Sequence, residues 1–166
     1  MKRYSIALAL LLMSLCIGAQ VTNNAIDFDR NGRLSLGIID NNAATSGTTL
    51  QLWMSPHHWI PGSNIVSWGN DLNIQLGTLG EIVIKSNADT LSFTDANLTT
   101  GNWAHITLLL DSNSLSLLVN NTNEQSSTLS KAFTIPTADP LILGGGFLGR
   151  IDEVRVWDTV LPADYN

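Results

Sequence analysis

Few carboxylates in this chain occupy a position that demands an explanation, and Asp152 is the first. It stands in the segment Gly149-Arg150-Ile151-Asp152-Glu153-Val154-Arg155-Val156-Trp157. Counting by twos along an extended chain puts Asp152 on the same side as Val154 and Val156. An ionised carboxylate aimed at an apolar core costs roughly several kcal/mol unless hydrogen bonds, a cation or a metal satisfy it. Two solutions are open: a bulge re-aims Asp152, or it has a dedicated partner. On a regular strand its neighbour Glu153 points to the opposite face.

A second acidic group opens the chain's first apolar segment. Asp27-Phe28-Asp29-Arg30-Asn31-Gly32 matches the first half of a calcium loop, D-x-D-x-N-G. The second half fails, because Ile38 stands where the closing Glu is needed. A hairpin is the simpler reading, with Asn31-Gly32 as a type I′ turn between Phe28 and Leu34. General acid–base cleavage of a sugar needs two carboxyl groups across one bond. Beyond residue 20 the only glutamates are Glu81, Glu124 and Glu153, and none sits in such a pair.

Of the three histidines, His57 and His58 are adjacent in a loop segment and diverge, which suits a shared zinc poorly. His105 falls on a strand and reads as structural. Trp53, Trp103 and Trp157 occupy strand positions and read as sheet packing. Trp59 and Trp68 border loops. An indole face there could stack on a sugar ring, with Asn70 and Asp71 bonding its hydroxyls. Trp59, Trp68, Asn70 and Asp71 are therefore the candidate ligand-binding residues; the alternative reading is that both tryptophans cap the ends of the core.

These side chains need elements to hold them. Alternating apolar residues recur in short runs: Leu50, Leu52 and Met54; Leu72, Ile74 and Leu76; Ile82 and Ile84; then His105 to Asp111 and Leu115 to Val119. Gly, Asn, Asp or Pro marks nearly every break, and no segment holds a helical period over three turns. The pattern predicts ten or more strands in an all-β, antiparallel two-sheet sandwich. Thr122 to Ser130 is polar and fits either a strand or a loop.

The first nineteen residues read as a secretory signal peptide: Lys2 and Arg3, an apolar run from Ile6 to Ile17, then Gly18-Ala19. The lesser alternative is a lipoprotein cut before Cys16, which Leu15 rather than a small residue precedes. Residues 20–166 then form one domain without cysteine, so core burial alone must hold it. About 145 residues suffice for that. No further segment is apolar enough to span a bilayer. The formal net charge is −6, and loss of Lys2 and Arg3 makes the exported chain more acidic. The remaining bases are scattered with no basic stripe, which excludes nucleic acid as the expected partner.

Four segments in register resemble laminin-G-like, pentraxin-like domains: Ala25-Ile26-Asp27-Phe28-Asp29, Leu50-Gln51-Leu52-Trp53-Met54, Trp103-Ala104-His105-Ile106-Thr107-Leu108, and Gly149 to Leu161. The chain departs from the family where Asn120-Asn121 replaces an Asp-Gly hairpin tip; Asn tolerates the left-handed conformation such a tip needs. The resemblance implies a concanavalin A-like jelly roll over about residues 25–164. It also allows a calcium ion as cofactor, with Asp27, Asp29 and Asp152 as the candidate ligands; the other reading is no cofactor, with Asp152 satisfied by backbone amides or a salt bridge to Arg150 or Arg155. The expected function is that of a secreted or cell-surface binding or adhesion module for glycans or extracellular protein surfaces, not an enzyme. A structural or assembly domain is the alternative, and a glycoside hydrolase a more distant one.

Overall fold

The computed structural model describes residues 24–39 and 47–162, except 79, 88, 95 and 97. The signal peptide and Cys16 lie outside the described residues. The described residues form twelve strands: β1 (Ile26–Phe28), β2 (Arg33–Ser35), β3 (Thr48–Pro56), β4 (Asn64–Trp68), β5 (Leu72–Leu76), β6 (Ile82–Ser86), β7 (Asp89–Phe93), β8 (Ala104–Asp111), β9 (Ser114–Val119), β10 (Thr122–Thr128), β11 (Leu141–Gly144) and β12 (Gly149–Trp157). The polar stretch after Asn121 is thus a strand.

The strands make two six-stranded sheets, ordered β1-β12-β3-β8-β9-β10 and β2-β11-β4-β5-β6-β7. Every pairing within them is antiparallel. This is the all-β sandwich of the concanavalin A-like jelly roll. Alternation explains its core. Leu50, Leu52 and Met54 of the first sheet and Leu72, Ile74, Leu76, Ile82 and Ile84 of the second are all buried and belong to one apolar cluster. Each such side chain contributes about 1.5–3 kcal/mol by leaving water.

The hairpin expected at Asn31-Gly32 does not form. β1 pairs with β12 and β2 with β11, in different sheets, so the turn carries the chain across the sandwich. Gly32 N–H donates to Asp29 O at 3.3 Å, and neither Asn31 nor Gly32 has the positive φ of a type I′ turn. Instead Gly145 N–H donates to Gly32 O and Gly146 N–H to Arg30 O, at 3.1 and 2.8 Å, which docks the turn on the end of β11. The Asn120-Asn121 tip does form as expected, with φ of 53° and 57° joining β9 to β10.

The β5–β6 connection is clamped by Glu81. Its Oε2 accepts from the Thr78 amide at 2.8 Å and the Thr78 hydroxyl at 2.9 Å. The Thr78 hydroxyl, the Ser92 hydroxyl and the Thr78 amide, in that order, hold the carboxyl below its ordinary value of 4.5. A depressed folded value means the contribution is complete above the unfolded value and is lost as pH falls through the folded one. Urea midpoints from pH 7 down to 3 should therefore fall less steeply for Glu81→Gln than for the wild type on this acid limb. Parallel curves would show that the clamp adds nothing.

Candidate functional site

Residues facing each other across an antiparallel pair share a face, so register sorts the first sheet into two sides. Leu52 opposes Ile106, and Met54 opposes both Ala104 and Ile151; these are buried and face the second sheet. The alternate rows face away from the second sheet; most of their side chains are buried, and on β3 only Trp53 is exposed. Trp53 opposes His105 on one side and Asp152 on the other, Ser55 opposes Arg150, and Gln51 opposes Thr107 and Arg155.

The register between β12 and β3 shifts between Asp152 and Arg155. Glu153 occupies the extra position, with φ of 47°. The bulge resolves the conflict at Asp152: Ile151 and Val154 both reach the core, while Asp152 is turned outward beside Trp53. Its Oδ1 accepts from the Glu153 amide at 2.8 Å, and Glu153 Oε2 accepts from Arg155 Nη2 at 2.9 Å. The expectation that Asp152 and Glu153 point to opposite faces fails for the same reason. With left-handed geometry between them, both line one groove.

That groove has a volume of about 440 Å³ and is lined by Trp53, Trp103, Asp152 and Glu153. Trp53 is 37% exposed. The His105 ring tilts against it at 5.1 Å, and the Arg150 guanidinium lies 5.2 Å from the centre of the Trp103 ring. His105 is held in turn by the Asn120-Asn121 tip: its amide donates to Asn120 Oδ1 at 2.9 Å, and its Nδ1 lies 3.1 Å from Asn121 Oδ1. Further along the face, Trp157 Nε1 donates to Gln51 Oε1 at 3.0 Å. The groove therefore stands on adjoining strands with fixed side chains, which favours a preformed surface.

The residues expected to bind a ligand lie elsewhere. Trp68 is wholly buried, its ring 6.2 Å from that of Phe133, so no indole face is free for stacking. It borders a loop in sequence, but its Cα partners Leu72 and Leu141 place it in the core row. Trp59 packs partly on the core, and its Nε1 donates to Gly77 O at 2.8 Å. Asn70 and Asp71 form the β4–β5 turn, at the far end of β4 from Trp59. About 13 Å of strand separates those two ends. These residues do not make one site.

The three aspartates expected to hold calcium are also apart. Asp27 opposes Arg150 on β1 and lies 3.8 Å from His57 Nδ1, Asp29 belongs to the turn after β1, and Asp152 faces the groove. Among the described residues no three His, Cys, Asp or Glu side chains converge as a metal cage would require. The fold therefore does not bring Asp27, Asp29 and Asp152 together as one ligand set. Trp53 and Trp103, read from the sequence as packing, are the aromatics that reach the groove. The signal was the polar company of Trp53: Gln51, Trp53 and Ser55 share the side opposite Leu52 and Met54.

Two antiparallel six-stranded sheets packed face to face define the concanavalin A-like class of architecture. Residues 28–165 match the sequence profile of the laminin G family described as the concanavalin A-like lectin/glucanases superfamily. The chain belongs to that superfamily. No curated protein matches its sequence. Among solved structures it is similar to domain 4 of AbnA, an extracellular GH43 arabinanase from Geobacillus stearothermophilus, in complex with arabinotriose (16% identity, TM-score 0.66, 84% of this chain and 72% of that one). It is also similar to the CBM40 of the Ruminococcus gnavus IT-sialidase bound to α2,3-sialyllactose (14%, 0.67, 85% and 93%). A third is the heptameric SAP-like pentraxin of Limulus polyphemus (14%, 0.57, 82% and 80%). At these identities the likeness is one of fold.

Proposed function

We propose that this protein is a non-catalytic glycan-binding module, exported by its leader, that holds a sugar in the groove between Trp53 and Trp103. The observation that carries the reading is the pairing of two indoles with two carboxylates in one groove. Indole faces pack on the C–H face of a sugar ring, and carboxylates accept from its hydroxyls. Sugar-bound relatives of the same fold support it. Asp152 and Glu153 are successive residues of one bulge, each engaged in a short contact of its own. Such a pair does not bracket a glycosidic bond from two sides, as hydrolysis requires.

A glycan array with wild-type protein and the Trp53→Ala variant tests this. Because Trp53 is partly exposed, the variant should melt close to wild type. Its signal on every bound glycan should fall at least tenfold, about 1.4 kcal/mol. An array with no wild-type signal, or one that Trp53→Ala leaves intact, would reject the proposal.

A further inference from the structure

We infer that the groove selects neutral, hydroxyl-rich sugars and rejects anionic ones; this rests on the glycan-binding reading and names the ligand's charge class. Among the described residues, the lining comprises two indoles and two carboxylates, with no cation. A carboxylate is an acceptor only, so it welcomes hydroxyl donors and repels another carboxylate. The nearest arginines flank the acids rather than line the groove, and Arg150 Nε is buried without a hydrogen-bond partner. Arg155 donates to Glu153 at 2.9 Å, and the Arg150 guanidinium lies over the Trp103 ring. The same outward face carries Asp27 opposite Arg150, and the chain as a whole is acidic. The long-range field therefore also opposes an approaching anion.

The backbone gives an independent reason to treat these acids as selective. Left-handed φ is costly for a residue with a side chain, and strain of this kind gathers at functional sites. Elsewhere the chain fills most such positions with glycine or asparagine, as at Gly62 and Gly144 with φ of 80° and Asn120 with φ of 53°, and one with Ser112 at 49°. At 153 it uses glutamate, with φ of 47°. A glycine there would make the bulge more easily and would remove the acid from the groove.

Titration calorimetry in low salt with matched sugars tests the inference: lactose against sialyllactose, and galacto-oligosaccharides against oligogalacturonides. The neutral member of a bound pair should bind at least tenfold tighter than its acidic counterpart. In Asp152→Asn/Glu153→Gln the ratio should shrink at least threefold; if that variant melts low, Asp152→Asn alone decides. Equal or tighter binding of the acidic member, or an unchanged ratio, overturns the inference while the glycan reading stands. Absence of binding across neutral and acidic sugars, with the array also blank, sinks both.

Discussion

Replacing Trp68 by alanine should lower stability by about 3–5 kcal/mol, the range for deleting a large buried aromatic. Trp68 is completely buried between the Leu72 and Leu141 rows and packs against Phe133. Against a total of about 5–15 kcal/mol, the loss takes a large share of the folding free energy. At about 2–4 °C per kcal/mol for a chain of this size, the melting temperature should drop by about 6–20 °C. Trp68→Phe should be far milder. The indole Nε1 is buried without a partner, and phenylalanine keeps most of the ring while removing that N–H. Glycan affinity should be the same in Trp68→Phe as in wild type, since the core row and the groove lie on different faces. A Trp68→Ala melt within 2 or 3 °C of wild type, by rough resolution of such scans, would contradict this account of the core.

Gly144→Ala should cost about 2–5 kcal/mol, through two separable effects. Its φ of 80° is unfavourable for any residue with a Cβ, at about 1–2 kcal/mol. That Cβ would also lie 2.6 Å from the Gly32 carbonyl oxygen and 2.6 Å from Phe28 Cδ1. The oxygen belongs to the backbone and is already fixed by the Gly145 amide, so overpacking adds about 1–3 kcal/mol. Gly62 provides the control. It has the same φ of 80°, but its Cβ would meet nothing within 4 Å. Urea unfolding of the two variants side by side should show Gly144→Ala the weaker by the packing cost. Equal midpoints would mean that the turn at Arg30–Gly32 yields and that close docking against β11 is unimportant.

Much of this fold is written locally. Leu50, Leu52 and Met54, or Leu72, Ile74 and Leu76, announce strands because only a two-residue period buries them together, and the turn chemistry of Asn120-Asn121 fixes its own hairpin. Pairing partners are not local. Asn31-Gly32 looks like a hairpin tip, but β1 finds β12 and β2 finds β11 at the other end of the chain, and those ladders prevail. The site is half legible. Asp152 stands out because its phase conflicts with Val154 and Val156, whereas the direction in which the conflict resolves depends on the backbone of Glu153. A glutamate carries no signature of left-handed geometry. Periodicity likewise separates the two faces of β3 without saying which is open, so Trp53 reads as packing, and Trp68 reads as a loop-border aromatic until its cross-strand neighbours are known.

The pairing of β1 with β12 has a mechanical consequence. Ile26 faces Ile151 and Phe28 faces Gly149, so the path of the chain into β1 and the onward path of β12 leave the sheet on the same side. A pull applied through both would load the ladder rungs one after another rather than all at once. Such a peeling arrangement yields at low force, and the short first ribbon would detach while the strands that carry the groove stay zipped.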